Sequence, residues 1–402
     1  MNYVPVPRPM LELDKTLPVD VWDASGTLLL GKGQPISSQQ QIEMLSAHQV
    51  GMTKIDAQAW QRSYDRQVHS MRKDGADVEI AARARLPSEI AQADYGVGDE
   101  ESAGWLALQE TLRGLLYQGE AAISPLQRLE AIERQALEML KNDPDESLFI
   151  LFQALDEAVL GYCATHALLT AVVCELSAEK LGMAESARRV LFRSALVMNI
   201  GMAQTQDKLA WQSSAPVEAQ RKLIREHPQT SLEILQGLGV TDTDQLDIVR
   251  WHHEFDESWG MPRNLESRRI LRMADGFVAK MAPRKTRLAM SPLGAVKSIY
   301  FGTAVDTTML GSAMATAVGF YPPGTFVQLV NGEKAVAVAR GLRANYPLVV
   351  SIVNAGGMPL GNYVCRETTD PHFAIRSPIN AEKVRVKVNL EKALQARAEH
   401  GA

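Results

Sequence analysis

Cysteine is scarce in this chain, long apolar runs are absent, and neither sign of charge dominates. The three cysteines among 402 residues, Cys163, Cys174 and Cys365, form no C-x-x-C pair. An odd count without close spacing excludes a disulfide framework and fits a reducing compartment. If Cys163 and Cys174 share one helix, they lie about 16 Å apart, beyond the reach of a disulfide. The longest uncharged apolar run, Ala158 to Cys174, has 17 residues and contains Tyr162, Thr165, His166 and Thr170. A membrane span asks for about 20 apolar residues, so this run reads as a buried helix and no span is expected. Met1-Asn2-Tyr3-Val4-Pro5 offers neither a basic start nor an apolar core, so no signal peptide is expected and the location reads as cytoplasmic. A net charge of −5 argues against a basic nucleic-acid binder, and no DNA partner is expected. With 46% apolar and 22% charged residues, the composition is that of a globular chain, long enough for two or three domains.

Four regions emerge along the chain. Residues 1–60 read as a β-rich module, with Val19–Trp22 and Thr27–Leu30 flanking a turn at Asp23-Ala24-Ser25-Gly26. Ser37 or Ser38 can cap a helix that places Ile42 and Leu45 on one face. Residues 61–104 thin in apolar content and read as a linker. Residues 105–320 read as helical. Asp143-Pro144-Asp145-Glu146 combines a capping aspartate, a proline at the first helical position and a glutamate at the third. Behind it Leu148, Phe152, Leu155, Val159, Tyr162 and His166 step by threes and fours, setting His166 on or beside a buried stripe. Ser291-Pro292 repeats the cap-plus-proline signal. Residues 321–402 read as a C-terminal β module. There Asn331-Gly332 suits a type I′ turn, and Val384, Val386 and Val388 alternate with Arg385 and Lys387 as in a half-buried strand.

Four of the eight histidines, His166, His227, His252 and His253, fall in the helical region, and Asp275 follows them. Imidazole and carboxylate together suit Zn, Mn or Fe, and packed helices can bring such donors to one point. The competing reading makes each histidine a hydrogen-bonded core residue, and both stand at this stage. Between Arg263 and Lys297 nine Lys or Arg residues oppose two acids, leaving the rest of the chain at −12. Such a segment would attract a phosphorylated ligand; its plain alternative is a solvated helix face or a contact with an acidic partner.

These residues, in this order, resemble the HD-GYP family of bacterial metal-dependent cyclic di-GMP phosphodiesterases, over about Asp156 to Val338. His166 stands where the family has its first-helix histidine. Glu226-His227-Pro228 is similar to the HP motif, and His252-His253-Glu254 with Gly260-Met261-Pro262 to the HHE…GYP stretch. Asp275-Gly276-Phe277 is similar to the later family aspartate, and Arg284 and Arg287 fall where basic residues contact ligand phosphates. The resemblance implies an HD-superfamily helical bundle, mainly α, with small β-rich modules at both ends.

The departures bear on function. The family's His-Asp-x-Gly-Lys is here Met198-Asn199-Ile200-Gly201-Met202, Tyr162 stands where many members place a glutamate ligand, and Met261 replaces the G-Y-P tyrosine. A thioether is a poor ligand for Mn²⁺ or Fe²⁺, and a neutral amide cannot supply the charge of a bridging carboxylate. Met198 and Met202, four apart, read as apolar packing on one helical face. Loss of the lysine removes a cation near the developing transition-state charge. His227, His252, His253 and Asp275, with His166 as a further candidate, could hold one divalent transition metal (Fe, Mn or Zn), or none. The expected function is a non-hydrolytic HD-GYP homologue in second-messenger signalling, binding cyclic di-GMP or a protein partner such as a diguanylate cyclase. The alternatives are an active phosphodiesterase with an atypical metal site and a structural interaction module.

Overall fold

The N-terminal segment builds a four-stranded antiparallel sheet from β1 (Tyr3–Pro5), β2 (Val21–Trp22), β3 (Leu28–Leu30) and β4 (Gly51–Thr53), in the order β1-β4-β2-β3. In the computed structural model the described residues are 3–7, 10–23, 27–47, 50–53, 56–57, 59–61, 63, 104–155, 161–254, 258–282, 289–291, 294–295, 298, 305–384 and 386–401. Of the linker segment 61–104, only 61, 63 and 104 fall among them. β2 and β3 pair antiparallel, as the flanking apolar runs predict, and the Asp23 carboxylate accepts the Thr27 amide at 2.8 Å. Ser38 caps helix α1 (Gln39–Ala47): its hydroxyl accepts the Gln41 amide at 3.2 Å. Met10, Leu17, Val21, Ile36, Leu45, Met52 and Trp60 close a small core that Ile123, from the helical region, completes.

The helical region contains α2 (Trp105–Gln118), α3 (Pro125–Asn142), α4 (Pro144–Leu155), α5 (Tyr162–Lys180), α6 (Glu185–Val197), α7 (Ala203–Trp211), α8 (Glu218–Gly237), α9 (Thr243–Trp251), α10 (Leu265–Met281) and α11 (Val305–Val318). α4 starts where Asp143-Pro144 predicts, and the Asp143 carboxylate accepts the Glu146 amide at 2.8 Å. α5 is buried on every side, the signature of a helix at the centre of a bundle. Among the described residues no helix is long and apolar enough to cross a membrane.

The stripe from Leu148 to His166 is not one helix. α4 ends at Leu155 and α5 begins at Tyr162, preceded by Gly161 at φ 85°; Val159 lies outside the described residues. Apolar spacing continues across the break because both helices face the same core. A Cβ at Gly161 would stand 2.6 Å from Arg113 Nε. Gly161→Ala is therefore expected to cost more than the about 1–3 kcal/mol of the left-handed conformation alone, read as a lowered urea midpoint with unchanged slope.

A five-stranded antiparallel sheet closes the chain: β5 (Phe326–Leu329), β6 (Lys334–Ala339), β7 (Leu348–Val353), β8 (Pro359–Glu367) and β9 (Ile375–Ile379), in the order β8-β7-β6-β5-β9. The β5–β6 turn differs from expectation. Gly332 has φ 90°, but Asn331 does not share its positive φ, and a type I′ turn requires both. Instead, Gly332 N–H donates to Leu329 O, Leu329 N–H to Glu333 O, and the Asn331 side chain accepts the Glu333 amide. Nor is Val384–Val388 a strand. After a short 3₁₀ turn at Ala381–Lys383 the three valines pack irregularly against the sheet, leading into α12 (Leu390–His400). Alternation reports which side chains turn inward, and an irregular segment can satisfy that as well as a strand. Phe149 of α4 is fully buried in this C-terminal core, and Arg340 and Arg397 pair with Asp145 and Asp143 at the head of α4.

Candidate metal centre

His227 lies on α8, followed inside the helix by Pro228. Proline has no N–H, so the carbonyl four residues earlier, that of Ile224, loses its helical partner. The imidazole takes it over, with His227 Nδ1 2.7 Å from Ile224 O. His252, just beyond the last residue of α9, does likewise with a carbonyl of the final turn, Nδ1 lying 2.7 Å from Val249 O. A nitrogen that close to a carbonyl oxygen must donate, so each ring carries its proton on Nδ1 and a bare lone pair on Nε2.

These two bare nitrogens, His227 Nε2 and His252 Nε2, stand 3.2 Å apart. Two acceptors at that separation repel unless a cation lies between them. Nitrogens sharing one ion at the usual 2.0–2.1 Å are about 2.8–3.4 Å apart for bond angles near 90–110°. His253 completes the group: the ligand atoms of His227, His252 and His253 all lie within 4.8 Å of one another. Burial holds all three imidazoles neutral, the form that ligates. It pushes the His227 pKa down to about 4 and holds His252 well below the ordinary imidazole value. Burial lowers His253 as well.

Asp275 and His166 do not join this triad within that distance. Asp275, on α10, accepts from His166 Nε2 at 2.7 Å, and Tyr162 OH lies 3.0 Å from His166 Nδ1. A carboxylate only accepts, so Nε2 carries the proton, while the Tyr162 hydroxyl engages the other ring nitrogen. Both nitrogens are thereby occupied. Burial alone would raise the Asp275 carboxyl, but the His166 hydrogen bond and the nearby imidazoles outweigh it and hold it well below the ordinary range.

The Met198–Met202 segment sits beside α8. α6 ends at Val197, Met198 and Asn199 are buried just past it, and Ile200–Met202 form a 3₁₀ turn. Met198 and Met202 therefore do not share one helical face: Met198 fills the core while Met202 is only half-buried. A Cβ at Gly201 would stand 2.9 Å from His227 O, so glycine lets this turn lie against the helix that carries His227. Met261 N–H donates to Asp247 Oδ1 at 2.8 Å, fixing the turn that follows His253.

Among its described residues the basic segment is not a single ligand-facing patch. Arg263 pairs with Asp244 at 2.6 Å, Arg268 is fully buried, and Arg272 donates to His253 O. A count along the sequence ignores burial and pairing. Arg284 and Arg287 lie outside the described residues.

Sequence reasoning missed a second polar cluster. On α7, Asp207 Oδ1 accepts the Cys163 amide at 2.5 Å, its Oδ2 accepts Tyr117 OH, and Arg113 Nε lies 3.7 Å away. It fastens α2 to the first turn of α5, the turn before His166. No local spacing announces it, because its members are up to 94 residues apart in sequence.

The neutral histidines make a pH prediction. The unfolded chain protonates His227 near pH 6.5 and the folded chain only near 4, so between these values the unfolded state holds more protons. Stability of chelator-treated protein is thus expected to fall as pH drops from 6.5 toward 4, by up to about 1.4 kcal/mol per pH unit for each such histidine. Denaturant midpoints measured across that range check it; constant midpoints would contradict neutral burial.

No family model matches the chain, and no curated protein matches its sequence. Among solved structures the chain is similar to Bd1817, a HDG"Y"P protein from Bdellovibrio bacteriovorus, at 14% identity and a TM-score of 0.38, covering 78% of this chain and 98% of that chain. That likeness is too remote to bear on chemistry, which rests on the residues described above.

Proposed function

We propose that this chain is a degenerate HD-GYP-type signalling protein that binds cyclic di-GMP at a single divalent transition metal and does not hydrolyse it. The observation carrying this reading is the pair of unprotonated Nε2 atoms of His227 and His252 facing each other at 3.2 Å, with His253 beside them. Three neutral imidazoles suit Zn²⁺ or Fe²⁺, and a bound ion would supply a Lewis-acidic charge for a phosphate oxygen. The chain's own part is positional: Ile224 O and Val249 O fix the two tautomers, while Tyr162 and His166 hold Asp275 ionised beside the triad.

Hydrolysis asks for more. Met198 and Asn199 supply no anionic donor where the family bridges two ions, and Met202 supplies no cation for the leaving group. Tyr162 contributes a hydrogen bond to His166 where a glutamate would contribute negative charge.

Metal analysis with a cyclic di-GMP titration tests the proposal. The expected result is at most one equivalent of metal, measurable nucleotide binding, and no release of linear pGpG or GMP with Mn²⁺ or Fe²⁺. Steady turnover that vanishes in His252→Ala would make the protein an active phosphodiesterase. Absence of both metal and nucleotide would leave the interaction-module reading.

A further inference from the structure

Trp259 is 46% exposed, a large share for an indole, and it sits in the turn that leaves His253. One side of the ring lies on Trp251, with centroids 4.9 Å apart and planes tilted by 38°. Trp251 is in turn covered by the Arg250 guanidinium, 4.0 Å from its centroid. Arg250 and Trp259 thus both pack against Trp251, which immediately precedes His252. Nearly half of Trp259 nonetheless remains in water. Backing by a second indole restricts the orientation of Trp259, so a planar ligand laid on it would cost little ordering.

We propose that Trp259 is a stacking surface for a purine base of the nucleotide whose phosphate is held at the histidine triad. This rests on the functional reading above and adds a base subsite to it. An indole matches the area of a bicyclic base, and base–aromatic stacking contributes about 1–3 kcal/mol per base. The Arg250 cation held against Trp251 suits an anionic ligand. Phe, Tyr or Trp at an exposed turn can also anchor a protein partner; the single ring and the adjacent phosphate-competent centre favour a nucleotide.

The test compares wild type, Trp259→Ala and Trp259→Phe, titrated separately with Zn²⁺, and with cyclic di-GMP in its presence. Among the described residues the ring contact of Trp259 is with Trp251 and not with the three histidines, so Zn²⁺ affinity is expected to be equal in all three proteins. Cyclic di-GMP binding is expected to weaken about tenfold or more in Trp259→Ala and less than about threefold in Trp259→Phe. The change in tryptophan emission on adding nucleotide should shrink in both variants. Equal cyclic di-GMP affinity in wild type and Trp259→Ala overturns the base subsite and leaves the metal reading intact. Wild type that binds Zn²⁺ but no cyclic di-GMP overturns the nucleotide reading itself, and the subsite with it.

Discussion

His252→Ala is expected to lower transition-metal affinity by more than about 100-fold. Loss of an outer-shell partner alone typically costs 10–100-fold, and this substitution removes a donor atom. His252 is fully buried, so the variant also leaves a cavity and melts lower; chelator-treated wild type and variant, compared by melting, separate that effect from metal loss. Pro228→Ala is the sharper probe. It removes no ligand, but its new amide returns to Ile224 O and competes with His227 Nδ1 for that acceptor. A loss of about tenfold in metal affinity is expected from the loosened tautomer. If Pro228→Ala binds Zn²⁺ as tightly as wild type, the proline does not set the tautomer; if His252→Ala does, the triad is not the metal site.

Asp207→Ala should be among the most destabilising single changes in the helical region. Its carboxylate is 1% exposed and takes the Tyr117 hydroxyl and the Cys163 amide, with Arg113 alongside. Arg113 is itself buried, and its Nε and Nη1 have no hydrogen-bond partner. Removing the anion leaves a buried cation uncompensated, at a cost of about 3–5 kcal/mol. For a domain of this size that lowers the melting temperature by roughly 6–20 °C. Asp207→Asn keeps an acceptor for the Cys163 amide and should fall between wild type and alanine. An alanine variant melting within about 2 °C of wild type would mean that the cluster is energetically idle.

Local signals were the readable ones. Asp143 caps α4 and Ser38 caps α1 because a cap is decided within three residues of itself. The segments around His227 and His252-His253 led to histidines that do converge, because each motif names its donors directly. Periodicity misled where it was asked for chain geometry. It ran smoothly across Gly161, whose φ of 85° interrupts helical geometry, and it made a strand of Val384–Val388, whose described residues form none. The pairing of Asp275 with His166 depends on how α5 and α10 cross, and the link from Asp207 to Tyr117 spans 90 residues. The role of Pro228 was within reach of sequence alone: a histidine before a mid-helix proline has a vacated carbonyl three residues behind it.

The end sheets are not self-contained beads on the helical body. The N-terminal one needs Ile123 to fill its interior, and the C-terminal one is filled by Phe149 and clamped through Asp143 and Asp145. Recombination that exchanged either end for a foreign segment would leave a hole in the newcomer and an orphaned apolar side chain on the host. Inheritance should therefore keep the three parts together, with position 123 drifting in size alongside the first sheet and position 149 alongside the last.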